Sequence, residues 1–154
     1  MRPPKIGDVI EIPTSRGFAY AQVTHRKPSW GFLLRVIEGY WQERPTDFLE
    51  VVLKPTRFLT FYPVGSGIHR GVVSHVANVV VPLPYRKFPL FRDRMHLDHG
   101  DWWLWDGEKE WRLGPDLPPE YRGLSYRLIL NDIALVERVT SDYRPDDGYR
   151  TPLV

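Results

Sequence analysis

The sequence predicts a mainly β domain: an antiparallel, strongly bent, SH3-like sheet or partly open barrel with one short C-terminal helix. Three observations predict it. Fifteen prolines and twelve glycines are spread along the 154 residues, which leaves little room for helices of the usual three turns. The first forty residues divide into short runs of alternating apolar side chains. No uninterrupted helical pattern comes before residue 130. The length suits one domain, residues 1–154, with a loosely ordered tail from about residue 144.

Val9-Ile-Glu-Ile12 is an apolar, β-branched run ended by Pro13, and Ser15-Arg-Gly17 supplies a turn in which Gly17 takes positive φ at little cost. From Phe18 to Thr24 the side chains alternate, with Phe18, Tyr20 and Gln22 on one face and Ala19, Ala21 and Val23 on the other. The small residues let a second layer approach closely. Gly31 to Ile37 makes a third strand with Phe32, Leu34 and Val36 on one face. Asp47 to Leu53 reads equally as a short strand or one helical turn, and Arg57 to Tyr62 reads as a strand. Val72 to Val81 is β-branched and extended, after which Pro82, Pro84 and Pro89 impose an irregular crossing segment.

The run Asp101-Trp-Trp-Leu-Trp-Asp-Gly-Glu-Lys-Glu-Trp-Arg112 is the clearest hairpin, with Asp106-Gly107 as a type I′ turn pair. Strand alternation places Trp103 and Trp105 on one side, Trp102 and Leu104 on the other. Near the end, Asn131 or Asp132 caps a helix whose Leu135 and Val139 fall four apart on one face.

Composition excludes several functions. With no cysteine there is no disulfide framework, thiolate metal site or cysteine nucleophile, a pattern that fits a reducing cytoplasm. The N-terminal residues lack the apolar stretch of a signal peptide, and no apolar run approaches bilayer length, so a cytoplasmic location is expected. Net charge is +2 but uneven, with 7 Lys/Arg against 12 Asp/Glu over residues 98–154. That balance does not mark a nucleic-acid binder.

Candidate chemistry is sparse. His96-Leu-Asp-His99 with Asp101 groups imidazoles and carboxylates, but the spacing matches no zinc pattern, so no metal is expected. His25, His69 and His75 are isolated, and there is no Gly-x-Ser-x-Gly elbow, P-loop or dinucleotide fingerprint. A chain without a nucleophile–base pair is expected to be no enzyme and to need no cofactor. The tryptophans say more: four of the six fall within Trp102–Trp111. Such a cluster serves either a core or an interface, where Trp is a frequent hot spot.

Ile6-Gly-Asp-Val-Ile-Glu-Ile-Pro13, the Gly17 turn and Phe18-Ala-Tyr-Ala-Gln-Val23 together resemble the opening of the Imm26 family of immunity proteins. The proline-rich Pro82–Arg92 segment, the Trp105-Asp-Gly-Glu-Lys-Glu-Trp111 hairpin and the apolar run around Leu130–Val139 are similar to its later parts. The resemblance spans most of residues 6–140 and implies a bacterial, cytoplasmic protein that binds and neutralises a cognate toxin protein. It brings no catalytic residues. The expected toxin-binding residues are the acidic and aromatic groups of the hairpin: Asp98, Asp101, Trp102, Asp106, Glu108 and Glu110. An acidic face would steer encounter with a basic toxin. The opening also resembles PemK-like SH3-barrel ribonucleases, whose basic loop is replaced here by Thr14-Ser-Arg-Gly17. This alternative implies RNA binding or cleavage.

Overall fold

A computed structural model describes residues 2–96 and 99–146. Within them, eight strands form two antiparallel sheets, and neither closes into a barrel. The first sheet has the order β4-β3-β2-β1-β5, from β1 (Asp8–Thr14), β2 (Gly17–Lys27), β3 (Gly31–Ile37), β4 (Thr56–Tyr62) and β5 (Ser74–Asn78). Register shifts at Val9/Ile10, Val23/His25 and Val36/Ile37 mark bulges, which bend and twist a strand. The second sheet has the order β6-β7-β8, from β6 (Phe91–Arg94), β7 (Trp102–Trp105) and β8 (Glu110–Gly114).

One face of the first sheet is the main core. Ala19, Ala21 and Val23, with Leu34 and Val36 opposite, are fully buried beneath Leu135 and Val139 of helix α3 (Asp132–Thr140). The small side chains on β2 do admit a second layer, and the helix fills it. Asn131 caps α3 by accepting from the Ala134 amide at 2.8 Å. Asp132, in the first turn, accepts from the Tyr62 hydroxyl at 2.5 Å and from Arg70 at 2.6 Å, which ties α3 to β4.

Two other short helices join the expected C-terminal one. At residues 47–53 the helical reading holds: Asp47 caps helix α1 (Phe48–Val52), whose Val51 and Val52 cover Val9, Tyr20 and Ile37 on the opposite face. Helix α2 (Val64–His69) has no signature in the sequence, because Gly-Ser-Gly reads as a turn. It exists because Gly67 lets the helix lie against the Tyr62 ring, where a Cβ would come within 2.7 Å of ring carbons.

The two sheets are stitched together by Ser125–Leu130. The Arg92 amide donates to the Ser125 carbonyl and the Arg127 amide to the Arg92 carbonyl, while Phe61 exchanges bonds with Leu128 and Leu130. The segment thereby covers the β4 edge of one sheet and the β6 edge of the other. Among the described residues β5 and β8 remain as outer edges. Arg144, where the loose tail was expected to start, pairs with Glu38 and with Asp142. The tail beyond residue 146 lies outside the described residues.

Candidate functional site

The hairpin forms where expected, but its interior differs. The two residues at its tip are Gly107 and Glu108, since the Asp106 amide donates to the Lys109 carbonyl. Gly107, at φ +97°, occupies the first central position, the pattern of a type II′ turn, so the expected Asp-Gly type I′ pair is corrected. Asp106 instead caps the turn, accepting from the Glu108 and Lys109 amides at 2.9 and 2.7 Å. Those backbone donors hold its carboxyl below the ordinary carboxylate range.

Most of the expected binding residues are spent internally. Trp102 is 2% exposed against Leu117 and Tyr126, so its assignment to a surface is corrected. Trp105 joins Leu33, Phe61 and Phe91 in a second buried cluster. Both sides of β7 are therefore covered, and a bulge at Trp102/Trp103 interrupts the simple alternation. Asp101 pairs with Arg112 at 2.5 Å, and Glu110 with Arg127 at 2.8 Å. Arg127 also holds Asp93 and lies over the rings of Trp30 and Trp105. Asp98 lies outside the described residues. Glu108 at the tip is exposed, as is Trp111 on β8, a residue absent from the expected set.

The histidines hold structural posts. His75 lies 3.2 Å from Asp8, in a cluster with Arg2. His96 and His99 stack at 4.2 Å on the surface, and among the described residues no three His, Asp or Glu side chains gather to hold a metal. His25 has both ring nitrogens committed, to the Thr24 hydroxyl at 2.9 Å and the Arg86 carbonyl at 2.8 Å. Burial lowers its pKa, against a smaller opposing pull from that carbonyl. Arg16 precedes the start of β2 and His25 lies near its end, so they stand on the order of 30 Å apart along the strand. They share no site.

A cleft of about 590 Å³ opens where the proline-rich segment crosses the second face of the first sheet. Thr24, Arg35 and Leu59 lie on the sheet side, and Tyr85, Lys87 and Phe88 on the crossing segment. Arg35 is 1% exposed. Its guanidinium donates to the Lys54 carbonyl at 3.0 Å, the Thr56 hydroxyl at 3.1 Å and the Val52 carbonyl, and stacks 3.7 Å from the Tyr85 ring centre. Burial brings its pKa down to about 10, so it stays charged at neutral pH. No sequence motif singles this residue out. The available signal was an arginine within Phe32-Leu-Leu-Arg-Val-Ile37, an otherwise apolar central strand.

The fold defines an open two-sheet β scaffold that carries an exposed hairpin edge and a cleft of mixed polarity. No family model, curated protein or solved structure matches the chain. Among the described residues, no helix is long and apolar enough to cross a membrane.

Proposed function

We propose that this chain is a non-catalytic binding protein whose partner is a bacterial toxin domain, which it neutralises by occlusion in the cytoplasm. The resemblance of its opening, proline-rich segment and hairpin to immunity proteins supplies the partner class. The observation that carries a binding role is the outer edge of the second sheet. Among the described residues β8 pairs on one side only, with β7, and Glu110, Trp111 and Arg112 on it are exposed, Trp111 at 41%. An open edge offers unpaired backbone groups to another chain, and an exposed Trp is a frequent hot spot.

The acidic rim plays a smaller part than its sequence suggests, because Asp101 and Glu110 are already paired with Arg112 and Arg127. Glu108 is the carboxylate best placed for steering. This reading expects a toxin domain encoded beside the gene, and the test is co-expression with it. Cells survive with the wild-type chain, and Trp111→Ala combined with Glu108→Lys loses protection while the purified variant unfolds at the wild-type temperature. Undiminished protection by that variant would move the interface away from β8. RNA cleavage by the purified chain would replace the whole reading with the ribonuclease one.

A further inference from the structure

Among the described residues the charge on Arg35 lacks a counter-ion. All its partners are neutral: two carbonyls, a hydroxyl and an aromatic ring. Among the described residues, no carboxylate forms a hydrogen bond or salt bridge with it. Its Nε proton is buried without an acceptor. Buried cations are ordinarily paired, because an uncompensated charge in a low-dielectric site is expensive. An unmatched Nε proton on an unpaired charge, at the border of a cleft, describes a site with something still to bind.

The rest of the cleft says what fits. Lys87 adds a second cation, while Leu59, Tyr85 and Phe88 offer apolar and aromatic surface. The volume of about 590 Å³ falls within the roughly 300–1,000 Å³ of small-molecule sites. Asp106 also borders the cleft, with its carboxylate engaged by the Glu108 and Lys109 amides.

We propose that the cleft binds a small organic anion, with a carboxylate or phosphate monoester held by Arg35 and Lys87 and an apolar body laid against Tyr85 and Phe88. The site is independent of the β8 edge, so its failure and the failure of toxin binding are separate results.

The probes are phenyl phosphate, phenylacetate and neutral phenylacetamide, added to the intact chain in buffer free of competing anions. The readout is the NMR signal of the Arg35 Nε–H group, supported by the thermal midpoint. A saturable shift is expected with at least one anion and none with the amide, and the tighter of the two anions identifies the headgroup. Arg35→Gln also removes the bonds that hold residues 52–56, so Lys87→Gln carries the mutational arm. It should weaken binding about tenfold, the share of one charge-assisted contact, and leave the ligand-free midpoint unchanged. An Arg35 signal unmoved by both anions, or moved equally by the amide, would overturn the proposal and leave Arg35 as a staple for the 52–56 loop. Binding by Lys87→Gln at wild-type strength would overturn it as well.

Discussion

Replacing Asp8 by Asn should remove one share of the protein's acid sensitivity along with part of its stability. Asp8 is 1% exposed at the start of β1, opposite Asn78 of the edge strand β5. Its carboxylate accepts from Arg2 at 2.7 and 3.0 Å, from the Asn78 amide at 2.9 Å and from the Lys5 backbone amide at 2.9 Å. Burial by itself raises the pKa, but the bonds from Arg2, Asn78 and Lys5 together outweigh it and hold the carboxyl at about 2, against an ordinary 3.8. At about 1.36 kcal/mol per pH unit, that gap corresponds to roughly 2.5 kcal/mol. The folded pKa is depressed, so this stability is fully present above the ordinary value and lost as pH falls through about 4 towards 2. Asp8→Asn gives up the contribution at neutral pH and has nothing further to lose at this position on acidification. Urea unfolding at several pH values between 7 and 2 checks this. The wild type should be more stable by roughly 2 kcal/mol at pH 7, and the two curves should approach one another near pH 2. Parallel loss of stability in both proteins over that range would refute the reasoning.

Gly67→Ala places a methyl group 2.1 Å from the Tyr62 hydroxyl and 2.7 Å from its ring, and that ring is buried and bonded to Asp132, so it cannot swing away. Denaturant midpoints should show a loss of about 2–3 kcal/mol, only partly recovered by adding Tyr62→Phe. Trp105→Ala, inside the Leu33–Phe61–Phe91 cluster, should cost about 3–5 kcal/mol in the same measurement, whereas Trp111→Ala should cost under about 1 kcal/mol. Glu108→Lys should leave the thermal midpoint unchanged, while Asp101→Lys, which sets a second cation against Arg112, should lower it measurably at low salt and less at high salt.

Much of the fold was legible because local chemistry and tertiary packing agree. The alternation along β2 and β3 matches the faces those side chains occupy, and Asn131, Leu135 and Val139 play the cap and core roles their spacing predicts. What could not be read locally depends on distant partners. Gly67 sits in a helix because Tyr62 needs the room, and the stitching role of Ser125–Leu130 needs the edges of β4 and β6, strands that lie roughly thirty to seventy residues earlier. The Gly-Glu hairpin tip shows the same dependence on a smaller scale. Asp106 uses its side chain to cap the turn, so the residue that looked like half of a turn pair is the last one before it.

The site was less legible, and the reason is electrostatic. A count of carboxylates along 98–110 measures charge, but binding depends on charge left uncompensated after folding. Arg112 comes from the same hairpin and Arg127 from the stitching segment, and together they absorb Asp101, Glu110 and Asp93. The basic side of the ledger behaves in the opposite way. Arg35 is one of 21 Lys and Arg residues and stands in an apolar strand without any motif around it. Folding places it beneath Tyr85 among neutral acceptors, with its Nε proton unmatched. Sequence patterns therefore overstate sites built from clustered like charges, which recruit counter-ions as the chain folds. They understate sites built from one charge carried inward by a strand whose other residues must be buried. In this protein the acidic hairpin is the first kind and the cleft the second.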